Sequence, residues 1–183
     1  MNLLRQSGEF VIKGPPNELE SARAAPIEAT AFEPELAILE RGVRLAFQLA
    51  AASDPSARTV YLRLLRNTLV PVFQIDPQET LVRRAWPLTD HPFLVEVVES
   101  KEPRMGAIAG GPMGPHAREI QNRTGVLSGI AVPVTYKGSV HGILALGSRH
   151  PELLSDDLFQ ALIHVGQLLT AALAAGGSAR RET

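Results

Sequence analysis

The stretch Gly129-Ile130-Ala131-Val132-Pro133-Val134-Thr135-Tyr136-Lys137-Gly138-Ser139-Val140-His141-Gly142-Ile143-Leu144-Ala145-Leu146-Gly147 decides the fold. Ile130, Val132, Val134 and Tyr136 alternate with Ala131, Pro133 and Thr135, and Val140, Gly142, Leu144 and Leu146 alternate on the return. That period of two predicts a pair of antiparallel strands turning at Lys137-Gly138. Both faces of the hairpin are largely apolar, so helices are expected to cover the sheet on both sides. Pro133 must sit where a ladder N–H is dispensable, and Gly142 admits a close neighbour. Downstream, Ser155 reads as a helix N-cap, with Asp156 and Asp157 well placed for the helix dipole and Leu154 and Phe159 as a hydrophobic staple. The apolar stripe Leu158, Leu162, Val165, Leu169, Leu173 runs opposite a polar one at Gln160, His164 and Gln167. This uncharged segment is long enough to span a bilayer, but its two faces mark it as an amphipathic helix, expected to stop at Gly176-Gly177.

Working back along the chain, 116–123 reads as a short helix stopped at Gly125, and 109–115 is a Gly/Pro-rich loop. Residues 104–108 predict a brief strand, and Asp90-His91-Pro92 caps a helix over 93–100. Residues 70–75 and 80–86 read as a strand pair around the turn 76–79, with Pro71 at an edge position. Asp54-Pro55 is expected to open a helix running to about Arg66, with Val60, Tyr61, Leu64 and Leu65 on one face. A helix from Pro34 carries Leu36, Leu39, Val43, Ala46, Phe47 and Ala50. The layout is three-part: an arm over 1–33, with a short strand at 9–13 broken by Pro15, Pro16 and Pro26; one domain over 34–176; and a tail over 177–183. The order of elements predicts an α+β fold, a central antiparallel sheet with helices on both faces.

Composition narrows the function. With 183 residues, 45% hydrophobic and 20% charged, the chain can bury a core without staples. Eighteen basic residues against nineteen acidic ones leave a net charge of −1, no footprint for nucleic acid or an anionic membrane. Aromatics at 5% do not make a base-stacking platform. The absence of cysteine removes disulfides, thiolate metal sites, thiol nucleophiles and thiol redox switches together. No signal peptide is legible, and the chain reads as cytosolic.

The small-apolar-Val-Pro strand 129–134, the turn at Lys137-Gly138, the Gly-centred strand 139–147 and the Ser155-capped apolar helix together resemble a GAF domain. The resemblance covers roughly 116–175; from 34 to 115 only the order of elements agrees. It implies a PAS-related regulatory module that binds a small ligand between the sheet and a cap of short helices and loops, and that dimerises through its first and last helices, here 34–52 and 156–175. It implies neither a thiol-dependent sulfoxide reductase nor cysteine-linked bilin attachment, since no cysteine is present. The cyclic-nucleotide signature is only partly echoed: Gly147-Ser148-Arg149 replaces Asn-Lys, although Asp156-Asp157 resembles its end.

The candidate pocket residues are Phe73, Trp86, Phe93, Arg104, Met105, Ile108, His116, Ile120 and His141. Phe73, Trp86, Phe93 and Met105 lie on elements that would flank a pocket, and the alternative for each is simple core. His141 stands where the family carries an aliphatic residue, so it reads either as a ligand contact or haem ligand, or as a histidine satisfied by a neighbouring carbonyl. His116 and Glu119 share a helix face but have no third metal ligand, so no metal site is assigned. Arg83 and Arg84, adjacent on a strand, cannot both face one pocket. The loop at Gly110-Gly111 reads as a lid or as an ordinary surface loop, and lacks both phosphate-loop patterns. No serine nucleophile elbow or Ser/His/Asp constellation is present, so no enzyme is expected.

Three readings follow: a sensory or regulatory domain binding a small ligand non-covalently and signalling through a homodimer or partner protein; a ligand-free scaffold for dimerisation or protein interaction; and a haem sensor. No output module follows residue 175 in this sequence, so either a received signal is expected to pass to a partner chain or the sequence is an excised or stand-alone module. The sequence names neither ligand nor partner.

Overall fold

The computed structural model describes residues 33–78 and 84–179. The elements are α1 (Glu33–Ala51), β1 (Arg58–Leu65), β2 (Thr68–Ile75), β3 (Trp86–Pro87), α2 (Pro92–Ser100), β4 (Arg104–Ala107), α3 (Pro115–Thr124), β5 (Ser128–Tyr136), β6 (Ser139–Ser148) and α4 (Asp156–Ala179). Six strands form one antiparallel sheet in the order β3-β2-β1-β6-β5-β4. All of the expected arm over 1–33 except Glu33 lies outside the described residues, as do the end of the tail and the span 79–83.

The β5–β6 hairpin forms in the expected register, with Val132 opposite Leu144 and Lys137-Gly138 at the turn. Both turn residues have positive φ, 51° and 77°, which matches the right-handed twist of the strands they join. Alternation sorts the sheet into two faces. Tyr61, Ile130, Val132, Val134, Leu144 and Leu146 pack under α1 and α4 with Leu39, Val43, Ala46, Leu162, Val165 and Leu169. Val60, Leu62, Ala131, Ile143 and Ala145 point the other way, toward Trp86, Leu94, Val97 and Ile120. Each fully buried leucine contributes on the order of 2 kcal/mol of transfer free energy.

α4 begins as the sequence predicts: the Ser155 hydroxyl accepts the Leu158 N–H at 3.2 Å, and the staple residues Leu154 and Phe159 both pack on the core. The helix is long and apolar enough to cross a membrane by length and composition, yet Leu158, Leu162, Val165, Leu169 and Leu173 are all buried inside the fold. It runs through Gly176-Gly177 to Ala179, so these glycines do not stop it. Glycine weakens a helix by about 1 kcal/mol without forbidding helical dihedrals.

The expected helix over 55–66 is instead strand β1. It pairs with β2 on one side and β6 on the other. Interior strands buried on both faces read as continuous apolar runs, and Val60, Tyr61, Leu64 and Leu65 match helical spacing by coincidence. Asp54 therefore caps no helix. Its Oδ1 accepts the Ser56 N–H at 2.8 Å and the Ser56 hydroxyl at 2.6 Å, while Oδ2 accepts the Ser148 hydroxyl, tying the α1–β1 link to the end of β6. β2 extends back to Thr68 and pairs with β1 through a turn at Arg66-Asn67; β3 joins β2 at Leu69 and Thr68, and 80–83 of the expected second arm lie outside the described residues.

Candidate functional site

The two faces of the sheet are covered by different materials. α1 and α4, of 19 and 24 residues, lie along one face. α2 and α3, of 9 and 10 residues, stand over the other with the β4–α3 loop. Short helices cannot cover so much sheet, and beneath them lies a cavity of about 380 Å3. That is inside the range of about 300–1,000 Å3 usual for small-molecule sites.

Its floor is Val60, Ala145 and Gly147 of β1 and β6, where small side chains leave room. Trp86, Phe93 and Leu94 form one wall, Met105 and Ile108 a second, and Ala117, Ile120 and Val126 a third. Gly111, Pro112 and Met113 line it as well, so the glycine-rich loop does border the cavity. The loop is tied at both ends: the N–H groups of Ile108 and Ala109 donate to Leu127 O, and the Gly114 N–H donates to Asp90 O at 2.9 Å. Gly114 is required there, because an added Cβ would come within 2.6 Å of the Asp90 backbone. Asp90 also caps α3 from outside, its Oδ2 accepting the His116 N–H at 2.9 Å.

Polar groups at the cavity are few. Arg58 is 2% exposed and ion-paired to buried Asp76 at 3.0 Å, with Gln78 Oε1 at 2.7 Å from its guanidinium. Arg104 pairs with Glu96 across the rim. Trp86 stacks on His91 with ring centroids 5.2 Å apart, and His91 Nε2 lies 3.0 Å from His116 Nδ1. Burial, helped by the His116 ring and opposed by Asp90, pushes the His91 pKa down to about 4. Burial and then Arg84 likewise lower the pKa of His116. Both rings are therefore neutral near pH 7, one donating and the other accepting the hydrogen bond between them. The indole N–H of Trp86, a buried side chain, has no hydrogen-bond partner among the described residues.

Six of the nine candidates line this cavity: Trp86, Phe93, Arg104, Met105, Ile108 and Ile120. Three do not. Phe73 stands opposite Tyr61 and packs on the α1 side. His116 is buried behind Trp86 against His91, and its neighbour Ala117 faces the cavity instead. His141 is turned away by a β-bulge: Val134 pairs with Gly142 and Thr135 with Val140, leaving His141 unopposed. Its Nδ1 lies 2.9 Å from the Tyr61 hydroxyl and its Nε2 is 3.5 Å from Glu35. Gly142 makes room for this contact, since a Cβ there would fall 2.4 Å from the Tyr61 oxygen. Neither His141 nor His116 offers a nitrogen to the cavity, so neither is placed to hold a haem iron within it. Among the described residues no group of three or more His, Asp or Glu could hold a metal.

Arg84 pairs with Glu119 at the surface, and Arg83 lies outside the described residues. Sequence reasoning missed Arg58, His91, Ala145 and Gly147. The small residues carried a signal: Ala131 faces Ala145 and Gly129 faces Gly147, two small pairs on one side of a hairpin.

No family model and no curated protein matches the chain by sequence. Solved structures do match. The GAF domain/HD domain protein from Geobacter sulfurreducens superposes with a TM-score of 0.65 at 14% identity, covering 81% of this chain and 96% of that one. The chain has the GAF fold. The blue-light absorbing form of the Thermosynechococcus elongatus PixJ GAF domain gives 0.65 at 14% identity, over 85% of this chain and 96% of that one. A type II free methionine-R-sulfoxide reductase from Thermoplasma acidophilum gives 0.56 at 16% identity, over 75% and 94%. A GAF fold thus carries a light-absorbing domain in one neighbour and an enzyme in another, so function has to be argued from this chain's own site.

Proposed function

We propose that this chain is a cytosolic sensory or regulatory domain that takes up a small molecule, without covalent attachment, in the cavity between the sheet and α2–α3. The observation that supports this reading is the hollow itself: about 380 Å3, lined mostly by apolar side chains and bordered by a tied loop. An apolar pocket with a few convergent polar groups is the usual form of a small-molecule site. Catalysis is not part of the proposal: the chain has no thiol, and His91, which lines the cavity, is hydrogen-bonded to His116 behind it.

The test is a thermal-shift screen of small molecules on the parent chain and on Ala145→Phe, which fills the floor. A ligand that binds only the native state raises its melting temperature. The proposal expects at least one compound to raise it in the parent and not in the variant. Gly106→Leu, entering where an added Cβ meets nothing within 4 Å, serves as a second filling variant. Shifts that survive both fillings would overturn the assignment of the cavity.

Signal output is assigned to a homodimer formed through α1 and α4. Leu45 and Leu49 on α1 and Leu168 on α4 are 41%, 38% and 64% exposed, on two helices that pack against each other. Light scattering should give twice the chain mass at micromolar concentration, falling to one chain with Leu168→Glu. A monomeric parent would contradict the dimer and favour a separate protein partner.

A further inference from the structure

The polar groups along the cavity limit what can enter it. Arg58 lies 3.0 Å from Asp76, with both side chains buried and Gln78 Oε1 2.7 Å from the guanidinium, so its charge is matched within the fold. Arg104 and Glu96, both half-exposed, pair at the rim and leave it without net charge. His91 is neutral near pH 7, and its Nε2 is taken up by His116. Trp86 offers its ring alone, since its indole nitrogen is sealed even from water. A charged ligand would shed its hydration in a mostly apolar space and find each of these counter-charges already engaged.

Gln121 is the group left over. Ala117, Ile120 and Gln121 share one face of α3, and all three line the cavity. The Gln121 side chain is partly buried, and its carboxamide has no hydrogen-bond partner among the described residues. Unlike the Trp86 nitrogen, both of its polar atoms can be reached by a water molecule. A carboxamide donates through Nε2 and accepts through Oε1, side by side in one plane. Its complement is a carbonyl oxygen next to an N–H, and the two groups then close a ring of two hydrogen bonds. β4 offers groups of the same kind. Arg104 to Ile108 line the cavity without a break, and because strand side chains alternate, such a run brings main-chain amides to the wall as well.

We infer that the ligand is a neutral, largely apolar molecule with an amide edge, a lactam or primary carboxamide, received by the Gln121 carboxamide through two hydrogen bonds. This rests on the cavity being the ligand site and goes further by naming the chemical class and the residue that selects it. Cyclic nucleotides, amino acids and 2-oxo acids are all outside it, each being charged.

The test uses four probes built on one fused bicycle: 2-quinolone, a neutral lactam; coumarin, which keeps the carbonyl but has oxygen in place of the N–H; naphthalene, with neither; and 2-naphthoate, with a negative charge. Binding is followed by proton–nitrogen correlation spectra up to millimolar probe. 2-Quinolone should bind about ten-fold more tightly than coumarin, because the lactone leaves Gln121 Oε1 without a donor. It should also shift the Gln121 side-chain amide signals, identified by their loss in Gln121→Met. In that variant the advantage of the lactam should vanish while naphthalene binds as before. If Gln121→Met does not fold, the lactam-to-lactone ratio on the parent chain remains the readout. Equal binding of 2-quinolone and coumarin, or an advantage that survives Gln121→Met, would overturn the amide class while leaving the cavity reading intact. Equal or tighter binding of 2-naphthoate would overturn neutrality. Failure of all four to bind, or undiminished binding to Ala145→Phe, would overturn the cavity reading itself.

Discussion

Small residues do opposite things on the two faces of this sheet. Under α1 and α4 they permit contact: a Cβ on Gly166 would fall 2.4 Å from Val132 Cγ1, and one on Gly42 would fall 2.6 Å from Leu169. On the cavity side a Cβ on Gly106 would meet nothing within 4 Å, and Ala145 faces the hollow. The covered face uses its glycines for close packing between a helix and its neighbours; on the cavity side Gly106 borders open space, while Gly129 and Gly147 lie close to Ile108 and Val126, 2.7 and 3.1 Å from an added Cβ. The difference lies in what covers the sheet. Two long helices can follow its whole length, and two short ones with a loop cannot. The filled face supplies the larger buried core, and the hollow face is the one proposed to bind.

The comparison breaks first at its strongest point. Leu162 is fully buried beneath α1 and the sheet, so Leu162→Ala should cost about 2–5 kcal/mol in urea unfolding. A loss below about 1 kcal/mol would mean the filled face is not the source of stability.

Next is acid. The pKa of His91 is pushed down to about 4 in the fold, chiefly by burial, against about 6.5 in an unfolded chain. Between those values the unfolded state binds more protons, so stability is full above about pH 6.5 and falls as pH drops toward 4. His116 and His141, lowered for the same first reason, act in the same direction. Between pH 6.5 and 4 the chain should lose about 2–3 kcal/mol, and His91→Phe should make the slope clearly shallower. An unchanged slope would place the titrating group elsewhere.

The finest test applies one substitution to both faces. Gly166→Val should destabilise by about 1–3 kcal/mol through overpacking against Val132. Gly106→Val, on a strand and facing open space, should change stability by less than about 1 kcal/mol, with a gain allowed by its β propensity. Equal losses at both positions would erase the distinction between the faces.

Much of this was legible before any coordinates. The β5–β6 hairpin announced itself because Lys137-Gly138 carries a glycine at a left-handed position and both arms alternate strictly. The matching turn at Arg66-Asn67 did not, because Arg66 takes a φ of 56° with no glycine to signal it. With that turn hidden, the apolar run of β1 looked helical, and its true partners, distant in sequence on β6, could not be read locally. In the site, Trp86, Phe93, Met105 and Ile120 were legible as large apolar residues on flanking elements. Phe73 and His141 were misplaced by bulges, at Pro71–Phe73 and at His141, which change the face a residue occupies without leaving a mark in the sequence. Arg58 was hidden inside the misread helix, and Ala145 and Gly147 matter through the volume they do not fill.

The claim that the hollow face is a binding site is tested most directly by native mass spectrometry of the chain purified without denaturation. The account predicts an added mass of small-molecule size on the parent chain, released on unfolding and missing from Ala145→Phe. A parent chain that flies at its bare mass, or an identical adduct on parent and variant, would contradict it.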